Sequence, residues 1–253
     1  RIEFFNIDTY NQLGIIRLPD YPDDGYPATK IVRWGNRGLA LRVEGAGSGS
    51  FLLLVESDLI KRSTPFDFDG DGKADPGIWR STNGVWIIPR SSTNYSTYIF
   101  AQWGEAGDIP IVGDLDGDWK ADIGFYRNGL WGFLKSSQGY ALGSAQFFSW
   151  GGVGLSPTIA DYDGDGKADL GYIAPPLGGQ SAVYSILKSS TGYSFGAGDV
   201  LFVPAGFPAL GDTPVVGDWD GDGKGDPGIW RATQGIWIIP LSSANYAAFL
   251  FSQ

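Results

Sequence analysis

Short apolar stretches, separated by turns rich in Gly, Pro, Asn and Asp, recur along the whole chain. From residue 64 onward they follow a fixed order. One stretch precedes an acidic run (as in IPIVGD), one passes through GIWR, one through GVWIIP, and one ends in an aromatic segment such as YIFAQWG. Aromatic and β-branched residues favour half-buried strands, and the residues between the stretches favour turns. The pattern therefore predicts an all-β protein built from units of four strands.

The acidic runs mark the repeating unit. They read DFDGDGKAD, DLDGDWKAD, DYDGDGKAD and DWDGDGKGD, and they begin at positions 67, 114, 161 and 218, which are 47, 47 and 57 residues apart. A period of this size indicates stacked supersecondary units, and four strands in about 40–50 residues are typical of a β-propeller blade. We predict blades at 64–104, 110–151, 156–203 and 213–253, the third with a longer loop around 174–185.

Residues 1–60 carry no acidic run but contain five strand-like stretches, IEFFNI, GIIRL, TKIVRW, LALRV and SFLLLVE. They predict a fifth, degenerate blade with one surplus strand. The whole chain, 1–253, is then a single propeller domain of five blades. The surplus strand could join subunits by pairing with a sheet edge, or it could close the ring.

The spacing within each acidic run is that of a calcium loop. Calcium takes six to eight oxygen ligands, and a tight loop supplies them from carboxylates at positions 1, 3 and 5 and a backbone carbonyl at position 7. In the first run these positions are Asp67, Asp69, Asp71 and Lys73, and Asp75 closes the loop at position 9. The equivalent residues are Asp114, Asp116, Asp118, Lys120 and Asp122; Asp161, Asp163, Asp165, Lys167 and Asp169; and Asp218, Asp220, Asp222, Lys224 and Asp226.

Up to four Ca²⁺ ions are therefore predicted. The alternative is a set of surface turns in which Asp and Gly serve only the backbone geometry. Magnesium fits less well, because a cage of several carboxylates suits the larger and more flexible ion. In the second loop Trp119 occupies position 6, where the other three have Gly. If this position needs a positive φ, Trp is strained there, so we expect the second loop to be the weakest or most distorted site.

Composition excludes several function classes. The chain has no His and no Cys, which rules out Ser–His–Asp and Cys–His triads and the usual zinc sites. A glycosidase pair would have to come from Glu44, Glu56 and Glu105, and nothing in the sequence brings two of these together. The formal charge of −10 and the lack of a Lys/Arg cluster argue against a nucleic-acid partner. No apolar stretch is long enough to span a membrane. Because the residues of the common catalytic sites are missing or unpaired, we predict a non-catalytic protein.

Tryptophans recur at equivalent positions of the units. They are Trp79, Trp86, Trp131, Trp230 and Trp237. Packing between blades would place such residues in the core. The alternative is that exposed Trp and Tyr side chains stack on sugar rings, as in a lectin.

Repeats of the form D-x-D-G-D-G-x-x-D followed by G-[IVF]-[WY]-R resemble the FG-GAP/VCBS repeats of integrin-α-type β-propellers, over about residues 64–253. The resemblance implies Ca²⁺ in the loop between the first two strands of a blade and an extracellular or cell-surface location. The start of the chain at Arg1 rather than Met suits a processed or trimmed protein.

The family is mostly adhesive, ligand-binding or structural. We therefore expect a structural or adhesive module, self-assembling into a surface layer or filament or binding other surface proteins or glycans. The alternative that the resemblance leaves open is a carbohydrate-binding lectin.

Overall fold

The fold was analysed on a computed structural model of the 253-residue protein. The residues that it describes are 2–5, 12–16, 28–34, 38–44, 50–56, 64–174, 183–196, 200–204 and 212–252. They form an all-β structure of antiparallel sheets, which confirms the predicted fold class at that level. The chain divides into two compact units, residues 1–64 and 65–253.

The first unit contains the five predicted strands. Strands β1 (Ile2–Phe5) and β2 (Gln12–Ile16) form a two-stranded sheet. Strands β3 (Ala28–Trp34), β4 (Gly38–Glu44) and β5 (Ser50–Glu56) form a three-stranded meander. The strands thus pair as two and three, whereas the strand count predicts four in one blade and one to spare.

The second unit contains four sheets in chain order, here called sheets I to IV. Sheet I consists of β6 (Ile78–Arg80), β7 (Val85–Pro89) and β8 (Tyr98–Gln102). Sheet II consists of β9 (Ile109–Gly113), β10 (Asp122–Arg127), β11 (Leu130–Leu134) and β12 (Gln146–Ser149). Sheet III consists of β13 (Ser156–Ala160), β14 (Asp169–Ala174), β15 (Val183–Leu187) and β16 (Val200–Pro204). Sheet IV consists of β17 (Thr213–Gly217), β18 (Asp226–Arg231), β19 (Ile236–Pro240) and β20 (Phe249–Ser252).

Sheets II to IV are four-stranded meanders with the strand order that the sequence predicts. Local turn chemistry explains their hairpins. In sheet II, for example, Asn128 and Gly129 both have positive φ (50° and 94°) and join β10 to β11, as a two-residue hairpin turn requires. Before the last strand of each sheet lies a one-turn 3₁₀ helix. These helices are Ser91–Thr93, Ser136–Gln138, Ser189–Thr191 and Ser242–Ala244, and sheet II has a second one at Leu142–Ser144.

The core lies between consecutive sheets. Between sheets I and II, Trp86 and Ile88 pack with Ile123. Between sheets II and III, Trp131 packs in the cluster that contains Leu170. A third cluster joins sheet III to Tyr246 of sheet IV. Its buried residues are Tyr162, Tyr184, Ile186 and Tyr246. Because each large buried side chain contributes about 1.5–3 kcal/mol, these clusters hold neighbouring sheets together.

The recurrent tryptophans divide between burial and partial exposure. Trp86 and Trp131 are buried in the core, as the packing interpretation predicts. Trp79 is half-buried and packs against the first cluster. Trp230 and Trp237 are partly buried and pack on each other, with ring centroids 4.9 Å apart.

Candidate metal centres

Each acidic run forms a loop that leads into a strand of its sheet. In sheets II, III and IV the loop joins the first strand to the second, and its last aspartate, Asp122, Asp169 or Asp226, begins the second strand. The first loop precedes β6 of sheet I. The loops are called loop 1 to loop 4 below, and their nine positions are numbered from the first aspartate.

The aspartate at position 1 organises the turn. In loop 1, Asp67 accepts hydrogen bonds from the backbone N–H of Gly70 at 2.6 Å and of Gly72 at 2.8 Å. The same two bonds form in the other three loops. The residues at positions 4 and 6 have positive φ in all four loops, a conformation that glycine adopts without strain.

Trp119 adopts this conformation despite its side chain. Its φ is +69°, and its N–H donates to Asp114 at 2.8 Å, as Gly72 does to Asp67 in loop 1. The turn at position 6 of loop 2 therefore matches the others. Loop 2 nevertheless lacks two hydrogen bonds that loops 1, 3 and 4 share, from the N–H of position 3 to position 9 and from the N–H of position 5 to position 3. This local difference lies in the loop that the sequence predicts to be the most distorted. That loop 2 binds calcium most weakly stays a prediction.

The aspartate at position 9 is buried and holds the loop to the 3₁₀ turn. Asp169 accepts hydrogen bonds from the backbone N–H of Tyr162 at 2.8 Å and of Ser189 at 2.6 Å. The Ser189 hydroxyl donates to the same carboxylate at 2.7 Å. Equivalent backbone bonds are made by Asp75, Asp122 and Asp226. Each of these carboxylates therefore connects two segments that are distant in sequence.

Sequence reasoning missed two serines in each unit. In sheet III the Ser189 hydroxyl donates to Asp165 at 2.9 Å, and the Ser190 hydroxyl donates to Asp163 at 2.5 Å. The same pairs form between the other 3₁₀ turns and positions 5 and 3 of their loops. The signal was present as a Ser-Ser dipeptide 22–28 residues after each first aspartate, at 91–92, 136–137, 189–190 and 242–243.

The structure brings three of the predicted carboxylates together in every loop. In each group, one carboxylate oxygen from each residue lies within 4.8 Å of the others. The groups are Asp67, Asp69 and Asp71; Asp114, Asp116 and Asp122; Asp161, Asp163 and Asp169; and Asp218, Asp220 and Asp226. Asp75, Asp118, Asp165 and Asp222 are outside these groups. The predicted carbonyl ligands, Lys73, Lys120, Lys167 and Lys224, donate their N–H groups to position 5, and their ligand role stays a prediction.

The donor set and its burial fit a cation. Burial, with a smaller contribution from the neighbouring carboxylates, raises the pKa of Asp114 and Asp161 to about 6. Burial likewise raises the pKa of Asp122 and Asp169 to about 7. The Oδ1 atom of Asp116 is buried without a hydrogen-bond partner. Buried charges need a counter-charge or a metal, and an all-oxygen set is what Ca²⁺ prefers.

Neighbouring loops are hydrogen-bonded to each other. The N–H of Ala121 in loop 2 donates to the carbonyl of Asp67 in loop 1 at 2.7 Å. The same bond joins loop 3 to loop 2 and loop 4 to loop 3, both at 2.6 Å. In addition, the Lys120 side chain lies over Gly70, where a Cβ would come within 2.7 Å of it. The four loops therefore form one continuous row across sheets I to IV.

A tyrosine adds a second connection between loops. The Tyr140 hydroxyl lies 3.0 Å from the carbonyls of both Phe68 in loop 1 and Ala121 in loop 2. Tyr246 reaches the carbonyl of Tyr162 in loop 3 in the same way, at 3.2 Å. Burial raises the pKa of Tyr140 well above its usual range, so its hydroxyl stays protonated and can donate.

Substitution of Tyr140 by Phe should lower the free energy of unfolding by about 1–2 kcal/mol, because it removes the hydroxyl from two buried carbonyls. Urea unfolding followed by tryptophan fluorescence measures the loss. The matched control is Tyr95→Phe, since Tyr95 occupies the same place in sheet I, is 48% exposed, and makes no hydroxyl hydrogen bond within the described residues. Equal losses in the two variants would contradict a role for the tyrosine between loops.

The metal-free protein should be more stable at pH 5 than at pH 8. Since the pKa of Asp122 and Asp169 rises from 3.8 to about 7 on folding, the folded chain binds more protons than the unfolded chain between these values. This stabilisation is complete below pH 4 and is lost as the pH rises through 7. Thermal unfolding in calcium-free buffer tests it, and excess calcium should remove or reverse the trend. A higher unfolding temperature at pH 8 without calcium would contradict the expected direction.

Two of the glutamates considered for a glycosidase pair, Glu44 and Glu56, end the antiparallel neighbours β4 and β5 and so lie at opposite ends of that strand pair. Glu105 forms an ion pair with Arg127 at 2.5 Å, and Arg127 also binds the buried Asp108. No described helix is long and apolar enough to cross a membrane.

Comparison of the chain with models of protein families, with curated proteins and with solved structures found no match.

Proposed function

We propose that the protein is a non-catalytic, calcium-binding β-propeller of the FG-GAP/VCBS type. The observation that carries the proposal is the continuous row of four acidic loops, each with a cluster of carboxylates at the start of a sheet. Sheets I to IV would be four blades, and residues 1–60 would supply a fifth, degenerate one. Packing between consecutive sheets and contacts of β13 with both β9 and β17 support such an arrangement.

Calcium has a structural role in this proposal. A bound ion would neutralise the carboxylates at positions 1, 3 and 9 of a loop, or 1, 3 and 5 in loop 1. The protein's own residues hold each loop in place, because the buried aspartate at position 9 and the two serines connect the loop to the 3₁₀ turn. Because the loops are hydrogen-bonded in a row, an ordered loop also supports its neighbour. The free energy of ion binding would thus add to the stability of the fold.

We place such a protein outside the cell, as a structural or adhesive module. Extracellular calcium modules typically have dissociation constants of about 0.1–1 mM, so loops of this kind would hold calcium at millimolar concentration. Subunits could then associate into a surface layer or filament.

Isothermal titration calorimetry on protein freed of metal tests the metal assignment directly. We expect up to four calcium ions per chain. Asp116→Asn should remove one of them, because Asp116 belongs only to the loop 2 cluster. Ser92→Ala is a suitable control, since it removes a hydrogen bond to Asp69 but no carboxylate. Absence of calcium binding at millimolar concentration would overturn the proposal.

Sedimentation velocity across a concentration series tests self-association separately. Large or open-ended species in calcium would support a structural subunit. A folded, calcium-loaded monomer at every concentration would contradict self-assembly while leaving the metal sites intact.

A further inference from the structure

An open cleft of about 480 Å³ lies at the boundary of sheets II and III. Its walls include Trp150, Tyr172 and Phe195, and its rim includes Asn128 and Ser149. The Trp150 ring centroid is 5.3 Å from that of Tyr172 and 5.2 Å from that of Phe195. None of the described lining residues is charged, and none belongs to an acidic loop. The cleft is therefore separate from the candidate metal centres.

The boundary between sheets I and II shows how a tryptophan can close such a cleft. Trp103 follows β8 as Trp150 follows β12, and both backbones donate to the hairpin glycine of their own sheet at 2.8 Å. The Trp103 indole N–H crosses to sheet II and donates to the Gly132 carbonyl at 3.0 Å. In contrast, the Trp150 indole N–H is buried and has no hydrogen-bond partner.

The residue on the facing sheet accounts for the difference between the Trp103 and Trp150 hydrogen bonds. In sheet II, Gly132 pairs with Phe125, the fourth residue of β10. In sheet III, the equivalent residue is Ser185, which pairs with Tyr172, the fourth residue of β14. A Cβ on Gly132 would lie 3.2 Å from the Trp103 ring and 2.6 Å from the Phe125 ring. Because Ser185 has a side chain, Trp150 cannot approach the sheet III backbone as Trp103 approaches that of sheet II.

We propose that this cleft binds the ring of a neutral saccharide. Sugar rings present C–H faces that pack on aromatic walls and hydroxyls that hydrogen-bond to polar groups, here the exposed Asn128 and Ser149. A purely apolar ligand would leave the Trp150 N–H without an acceptor, and a charged ligand would find no described counter-charge. The N–H is covered in this structure. The Phe195 ring packs on the Trp150 ring and is 61% exposed, so an outward turn of this ring would be the route by which a sugar hydroxyl reaches the N–H.

Retention of the calcium-loaded protein on immobilised glucose, galactose, mannose and N-acetylglucosamine tests the proposal. The wild-type protein should be retained on at least one resin and released by the same free sugar. Phe195→Ala should weaken binding about tenfold, because it removes one aromatic wall. Ser185→Gly should weaken it at least as much, because it lets the Trp150 N–H reach the backbone and close the cleft.

Phe100→Ala is the matched control, since Phe100 lies on sheet I and is 69% exposed, like Phe195. It should bind as the wild type does. Circular dichroism establishes that each variant is folded. The proposal is overturned if the folded wild-type protein is retained on none of the four resins, or if Phe195→Ala and Ser185→Gly bind normally. Equal loss in Phe100→Ala would place the binding surface elsewhere. Calcium titration of the same samples shows whether a loss of sugar binding is accompanied by a loss of the metal sites.

Discussion

Removal of calcium should lower the unfolding temperature of the protein by roughly 10–20 °C. An ion present at about 10 times its dissociation constant stabilises a folded protein by about 1.4 kcal/mol per site, so four sites would contribute about 6 kcal/mol. Typical domains have a total stability of about 5–15 kcal/mol. For a protein of this size, 1 kcal/mol corresponds to about 2–4 °C. Circular dichroism melts in millimolar calcium and in EGTA measure the shift.

Magnesium provides the control for this experiment. A smaller ion that demands octahedral geometry and keeps its water should restore only part of the lost stability. Equal unfolding temperatures in calcium and in EGTA would show that the acidic loops are surface turns, the alternative that the repeated Asp and Gly residues leave open. The expected effect is large because the carboxylate cluster of every loop includes at least one buried aspartate.

The largest effect of a single substitution is expected at position 9 of a loop. Asp169→Ala should lower the free energy of unfolding by about 3–5 kcal/mol. It removes the acceptor of the Tyr162 and Ser189 N–H groups and of the Ser189 hydroxyl, at a residue that is fully buried. The two N–H groups would remain buried without partners, whereas the Ser189 hydroxyl would keep Asp165 as its acceptor. Urea unfolding of metal-free protein measures the loss without a contribution from calcium binding.

Asp165→Ala is the matched control in the same loop. Asp165 is only partly buried and accepts the Lys167 N–H and one serine hydroxyl, so its loss should cost about 1 kcal/mol in metal-free protein. Both variants remove one carboxylate from the same loop. If they are equally unstable, the position 9 carboxylate does not hold the loop to the 3₁₀ turn, and the structural account of the loops fails.

The repeats explain why so much of the second unit could be predicted. The short apolar stretches that recur in a fixed order predict strands β9 to β20, and the Asp and Gly spacing predicts the four turns. Positive φ at position 6 also follows from the sequence, since three loops carry Gly there. Trp119 then takes the same conformation at +69°, because the flanking hydrogen bonds to Asp114 hold it.

Local chemistry could not reveal which groups would meet across the chain. The serine hydroxyls that donate to positions 3 and 5 come from a turn more than 15 residues away, and their distance from the loop depends on how the four strands pair. The bonds between loops, such as Ala121 to Asp67, depend further on how one sheet packs against the next. Such contacts carry no periodic signature in the sequence.

The strands, the repeating unit and the acidic residues able to bind a cation follow from the sequence alone, because backbone propensity and ligand type are local properties. Which three carboxylates of each loop converge, and that the strands of residues 1–56 pair as two and three, depends on packing in three dimensions. It also decided that Trp103 closes its boundary while Trp150 lines a cleft. The Trp103 indole reaches the Gly132 carbonyl of the next sheet, whereas the register equivalent of Gly132 in sheet III is Ser185. Which residue a tryptophan meets across a boundary depends on how the sheets pack.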